Sequence, residues 1–197
     1  AALSTGTGGA FLDEGDVKRI FSLDRLPVIA GHGAPMGKAT RVPGGFLLSG
    51  NWSYGSGVKH SDFIHSGGTV WDNAGAPVIG ATGLPETRIF VVPREACVFG
   101  DNWDVMGLRA TGSIDYSCKD VYIPEGATHL TECTTPKRGG PLFLLGIRGM
   151  STICHTGFTI GVGRRMLDEV AALSRVKKGR FGLLGDGESF MENFGAA

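Results

Sequence analysis

The 197-residue chain has only four cysteines, Cys97, Cys118, Cys133 and Cys154, and no two of them form a CxxC pair. That disfavours a zinc site, whose thiolate ligands come in close pairs. The chain begins AALSTGTGGAFLDEG, with neither the basic nor the apolar segment of a signal peptide. Four reduced thiols in a cytoplasmic protein are therefore expected. No run of about 18 apolar residues occurs, so no membrane-spanning helix is expected. Charge of one sign is missing too: Lys plus Arg and Asp plus Glu number 19 each, and the formal net charge is zero. Neither nucleic acid nor a membrane surface is expected as a partner. The five histidines (His32, His60, His65, His129 and His155) include no HExxH pair, and no metal site is expected. No GxSxG elbow and no phosphate-binding GxxxxGK[ST] loop is present, and Gly31-His32-Gly33 followed by Gly37 matches the dinucleotide fingerprint poorly.

Glycine, by contrast, is abundant, with 33 residues and no three-residue period. Collagen is thereby excluded, and tight turns or close backbone approaches are expected. Hydrophobic residues make up 42% and charged residues 19%, which suits a packed core. The start at Ala1 and the end FMENFGAA suggest a piece of a longer protein.

Along the chain, Ala1 to Gly9 reads as a linker or frayed end, Asp16 to Phe21 as one or two helical turns, and Ile29 to Thr40 as a loop punctuated by glycine and proline. Short strands are expected at Gly45–Ser49, Asp62–Val70, Thr87–Val92, Ala96–Gly100 and Lys119–Ile123, rich in Val, Ile, Phe and Thr and separated by turn residues. No helices alternate with them, so an antiparallel, barrel-like β domain is favoured over a parallel sheet. After Gly139-Gly140-Pro141 a long helix is expected to about Lys178, with Val162, Met166, Val170 and Leu173 on one face and a stop at Lys177-Lys178-Gly179. Its glycines imply close packing against a helical partner. The expected class is α+β: residues 1–22 as a linker or the end of a helical region, 23–138 as the β domain, 139–197 as the start of a helical bundle.

Two segments carry candidate chemistry. In Gly44–His60, GGFLLSGNWSYGSGVKH, strand alternation would place Trp52, Tyr54 and Ser56 on one face. An aromatic two residues from a hydroxyl, with Gly55 and Gly57 around it, suits a planar heteroaromatic ring; periodicity alone favours an aromatic strand facing a core and ending in a Gly-Ser turn. In Trp103–Pro124, WDVMGLRATGSIDYSCKDVYIP, Arg109 offers a planar donor fork, and Thr111 and Ser113 offer hydroxyls around Gly112. These suit a phosphate or a ring carbonyl, or a polar turn with a solvated arginine. His60 flanks the Ser56 turn, and His155 sits in the glycine-rich half of the long helix.

These blocks in this order resemble the acyl-CoA dehydrogenase superfamily, and within it the two-component flavin-dependent monooxygenases that hydroxylate phenols and other aromatics. The matching elements are Gly44-Gly45-Phe46, Gly50-Asn51-Trp52 and Ser56-Gly57, then Trp103, Val105, Gly107, Arg109, Thr111, Gly112 and Ser113, then Val121 and Pro124. The resemblance implies a flavin-binding middle β domain and the first helix of a C-terminal four-helix bundle, in homotetramers. It implies FMN or FAD, reduced and diffusible, supplied by a flavin reductase, and an aromatic or heteroaromatic small-molecule substrate. Trp52, Tyr54, Ser56, Gly57, Arg109, Thr111, Gly112 and Ser113 would then bind the cofactor, with Ser56 as the catalytic residue near flavin N5. Trp103 and His155 would line the substrate cleft. Arg180, in Arg180-Phe181-Gly182, resembles an Arg-x-x-Phe-Gly element that grips flavin phosphate in a neighbouring subunit, with altered spacing. An acyl-CoA dehydrogenase, with a Glu base that cannot be assigned here, and a non-catalytic flavin-binding fragment are the alternatives.

Overall fold

A computed structural model describes residues 2–22, 24–180 and 182–195. They form two compact units that divide between Met150 and Ser151. All four cysteines are free, and no helix among the described residues is long and apolar enough to cross a membrane.

The first unit opens with two helices, α1 (Ala2–Phe11) and α2 (Glu14–Ile20). The expected linker at Ala1–Gly9 is therefore helical over its described part. Glycines of low intrinsic helix propensity are used because tertiary contact leaves room for little else: a Cβ on Gly8 would lie 3.1 Å from Ile29 Cδ1. Seven strands follow, β1 (Ile29–Val42), β2 (Gly45–Gly55), β3 (Phe63–Trp71), β4 (Thr87–Pro93), β5 (Val98–Phe99), β6 (Ile114–Pro124) and β7 (Thr128–Leu130). The expected loop at Ile29–Thr40 lies in β1. Its glycines are places where other groups come too close for a side chain, as in strands generally: a Cβ on Gly31 would sit 2.3 Å from the His65 carbonyl oxygen, and one on Gly37 2.5 Å from the Trp52 ring.

The sheet order is β5-β6-β2-β1-β3-β4-β7. Two features differ from an antiparallel barrel. β1 and β3 pair in parallel, because the chain leaves β2 at Gly55, turns through Gly57 and Val58–His60, and returns on the far side of β1. The end strands β5 and β7 do not pair, so the sheet is open among the described residues. The fold is thus α+β around a mixed sheet.

Alternation along these strands builds two apolar layers. Phe46, Leu48, Trp52, Ile64, Phe90, Val92, Ile114, Tyr116 and Ile123 form the main core, and Leu12, Ile20, Ile29 and Val91 join the helices to the sheet. Each fully buried side chain of this size contributes about 1.5–3 kcal/mol over leaving it in water.

After a 3-10 turn at Pro141–Leu145, α3 (Gly146–Ser174) begins as the sequence suggests but stops earlier than Lys178. Lys178–Gly179 instead forms β8, paired with β9 (Gly182–Leu183), and α4 (Glu188–Gly195) follows. Val162, Met166, Val170 and Leu173 are all substantially exposed. A Cβ on Gly157, Gly161 or Gly163 would meet nothing within 4 Å. The close packing expected of these glycines is not made among the described residues.

Candidate active site

The two candidate segments meet in the first unit at the end of β2. Trp52 is the last residue there with ordinary pairing, opposite Tyr116. It is 1% exposed, stacks on Tyr116 with centroids 5.2 Å apart, and donates its indole N–H to the Gly67 carbonyl at 2.9 Å. Behind it the Tyr116 hydroxyl receives the His32 backbone N–H at 3.1 Å and lies 3.1 Å from the Ser66 hydroxyl. Burial holds the Tyr116 hydroxyl well above the usual phenol range. Trp52 is thus placed as a core residue.

Past Trp52 the strict alternation fails. Tyr54 has φ 59°, a left-handed conformation that strains a bulky L-residue, and the β2–β6 register shifts between Trp52 and Gly55. Tyr54 is consequently 68% exposed while Trp52 is buried. The expected shared face of Trp52, Tyr54 and Ser56 does not form. Gly57 then turns with φ 82°, the left-handed region glycine favours, and its N–H donates to the Thr111 carbonyl at 2.9 Å.

The Thr111 side comes from the long loop between β5 and β6. Gly100 N–H donates to Asp115 O, and Asn102 Oδ1 accepts the Asp115 N–H, which fixes the loop's ends. Arg109–Thr111 is a single 3-10 turn flanked by left-handed Leu108 (φ 54°) and Gly112 (φ 49°). The result is a run of hydroxyls: Ser56 Oγ lies 2.8 Å from Ser113 Oγ, which lies 2.9 Å from Thr111 Oγ1, which donates to the Leu108 carbonyl at 2.9 Å. Ser113 is buried and Ser56 exposed. Gly112 is buried beside Lys59. The Arg109 guanidinium is exposed and has no ion pair among the described residues.

Trp103 meets Tyr54 edge-on, centroids 6.4 Å apart. Its indole N–H is buried without an acceptor, and such an orphan donor asks for a partner. Tyr54, Met106 and Leu108 are exposed apolar side chains of these same two segments, and Val98 of β5 is exposed as well. An open hydroxyl, an unpaired indole N–H, exposed aromatic surface and a free guanidinium suit the flat, polar-edged ring and phosphate of a flavin.

Two expected site residues belong to the second unit. His155 is exposed on α3 and donates from Nδ1 to Ser151 O at 2.7 Å. Arg180 is exposed in the turn joining β8 and β9; Phe181, beside it, lies outside the described residues. Tyr116, Ser66 and His32, which back the Trp52 wall, belong to no motif in the sequence. Tyr116 was visible in the alternation of Ile114, Tyr116 and Cys118 as an inward position.

No protein-family model matches the chain. A pigment production hydroxylase of Rhodococcus erythropolis is 30% identical over 166 residues, covering 80% of this chain and 41% of that protein. The flavin-dependent monooxygenase oxygenase subunit HsaA of Mycobacterium tuberculosis is 34% identical over 115 residues, 58% of this chain and 27% of that protein. Among solved structures, XiaF from Streptomyces sp., in complex with FADH2 and glycerol, superposes with a TM-score of 0.73 at 24% identity, covering 98% of this chain and 48% of that one. The chain spans less than half the length of each of these relatives. Over the span they share, the chain is a relative of the oxygenase subunits of two-component flavin-dependent monooxygenases, with the acyl-CoA dehydrogenase-like fold.

Proposed function

We propose that the chain carries one wall of the reduced-flavin site in the oxygenase component of an aromatic hydroxylase. The observation that carries this is the junction of the two segments, where Gly57 N–H meets Thr111 O and Ser56 meets Ser113. Residues 57 positions apart in sequence meet there, the exposed hydroxyl of Ser56 against the buried one of Ser113. Reduced FMN or FAD, delivered by a separate reductase, supplies the activation of oxygen for transfer of one oxygen atom to an aromatic or heteroaromatic substrate. The chain's residues bind and orient the ring and limit water access to it. In this reading Ser56 faces N5, Tyr54 and Trp103 border the ring, and Trp103 N–H finds its acceptor on the flavin or substrate. Trp52 supports the wall from behind, and Arg109 meets the phosphate or a ring carbonyl. His155 borders the substrate, Arg180 grips the phosphate of a flavin held by a second copy, and the enzyme works as a homo-oligomer.

Anaerobic titration with FMN and FAD tests the site, and added reductase, NADH and a panel of phenols and indoles test the reaction. The reading expects tight binding of reduced flavin and products heavier by one oxygen atom. Reduction of bound FAD by an acyl-CoA without any reductase would overturn it in favour of a dehydrogenase.

A further inference from the structure

The hydroxyls of Ser56, Ser113 and Thr111 have only one arrangement of protons that makes every contact a hydrogen bond. Three contacts link four oxygens: Ser56 Oγ to Ser113 Oγ, Ser113 Oγ to Thr111 Oγ1, and Thr111 Oγ1 to the Leu108 carbonyl. Each hydroxyl owns one hydrogen and the carbonyl owns none. Thr111 must therefore donate to Leu108, Ser113 to Thr111, and Ser56 to Ser113. The hydrogen of Ser56 is spent inward, and its lone pairs are left for whatever approaches from outside. A donor end would require turning the whole chain around, with the Leu108 carbonyl losing the Thr111 hydroxyl and keeping only the Thr111 backbone N–H at 3.1 Å. Chained hydroxyls of this kind reinforce one another, so the polarity is a property of the set.

We propose that Thr111 and Ser113 are positioning residues that lock Ser56 as a hydrogen-bond acceptor and so make the site select the reduced over the oxidised flavin. This rests on the reading that Ser56 faces flavin N5. Reduced flavin carries a hydrogen on N5 and offers a donor there; oxidised flavin offers only a lone pair. The locked acceptor satisfies the first and confronts the second with two acceptors and no hydrogen between them. The selectivity amounts to about tenfold in affinity, the size of one hydrogen bond made against one left unmade.

The full chain is titrated anaerobically with FMN, oxidised and reduced, and the two-electron potential of bound FMN is read against a reference dye. Because the bound potential rises with the ratio of oxidised to reduced dissociation constants, tenfold selectivity lifts it by about 30 mV above free FMN. Thr111→Val keeps the shape but removes the hydroxyl, so Ser113 can donate to Ser56 and Ser56 can donate outward. The potential should fall back by most of that amount. Thr111→Ser, which keeps the hydroxyl, should match the wild type, and Ser113→Ala should behave like Thr111→Val. A purely structural role for Thr111 would weaken both flavin states together and leave the potential in place. An unchanged potential in Thr111→Val, or equal losses in Thr111→Val and Thr111→Ser, overturns the relay. Wild-type protein that binds oxidised and reduced FMN equally also overturns it while leaving the flavin site standing. Wild-type protein that binds neither form overturns the flavin reading itself, and the relay with it.

Discussion

Trp52 and Ser56 stand four residues apart on one strand and its exit turn, and they obey opposite rules. Around Trp52 every polar group has a partner: the indole N–H has Gly67 O, and the Tyr116 hydroxyl has His32 N–H and Ser66. Backbone there is ordinary strand. Around Ser56 the backbone is left-handed at Tyr54 and at Leu108, the Trp103 N–H has no acceptor, and large apolar side chains face outward. The rim holds strained backbone and an unmet donor that a ligand can answer, while the Trp52–Tyr116 pair behind it is hydrogen-bonded and holds it in place. A rim of this kind is stable only because the sheet beneath it over-determines its position.

The sharpest way to break the contrast is to remove its rigid half. Trp52→Ala should cost about 3–5 kcal/mol of stability, from the lost transfer of a large ring and the cavity left behind. Urea denaturation measures it. A cost below about 1 kcal/mol would mean that the wall behind the site is not the rigid layer described.

Acid offers a second route into the same layer. Burial pushes the His65 imidazole down to about 3, with His129 and His32 adding to the effect; burial also lowers His129, with Arg88 contributing. Both are therefore neutral in the fold and must gain a proton on unfolding below the free value of 6.5. Their contribution is complete above pH 6.5 and is lost as pH falls from there toward 3. At about 1.4 kcal/mol per unit, His65 alone costs about 2 kcal/mol between pH 6.5 and 5. Asp62 and Glu14 have lowered values, held down by Arg25 and Lys18 respectively, so their contributions are lost only as pH falls through the free carboxyl values of 3.8 and 4.5 and lower, mostly beneath this window. Urea midpoints at pH 7 and pH 5 should differ in the wild type and draw closer in His65→Gln, with His129 keeping the remaining difference.

Strands β2, β3, β4 and β6 were legible because branched and aromatic residues alternate between turn signals. α1 and β1 were not: Gly6, Gly8, Gly31 and Gly37 read as linker or loop, and their small size answers neighbours that spacing cannot reveal, such as Ile29 against Gly8 and the Trp52 ring against Gly37. The site was half legible. The hydroxyls of Thr111 and Ser113 and the turn at Gly57 stood out as a polar, glycine-rich pair of segments. That they meet was visible only through resemblance, because 57 residues separate Ser56 from Ser113. The outward turn of Tyr54 had no sequence signal, since tyrosine rarely adopts positive φ.

Tyr54 therefore tests whether the rim's strain serves the ligand. Tyr54→Asn puts a residue tolerant of the left-handed region at φ 59°. Because the tyrosine is largely exposed, little burial is lost. Stability should hold or rise by up to about 1 kcal/mol. Affinity for reduced flavin should fall roughly two- to tenfold with the lost ring contact. A loss of stability without a loss of affinity would place Tyr54 with the core instead.

Ser56→Ala has the smallest expected effect on the fold and separates the two regions most cleanly. Ser56 is exposed, and its one side-chain hydrogen bond is to Ser113, which keeps its own donation to Thr111 in the variant. Stability should change by less than about 0.5 kcal/mol. On the proposed reading the reaction should change more, because the flavin edge would lose the oxygen that accepts from it. With reductase and NADH, a larger share of the electrons should leave as hydrogen peroxide and a smaller share as hydroxylated product. The ratio of peroxide to product reads this directly and is insensitive to the amount of folded enzyme. A variant as stable and as tightly coupled as the wild type would make Ser56 a bystander of the turn and shift the chemistry to Trp103 and its unpaired N–H.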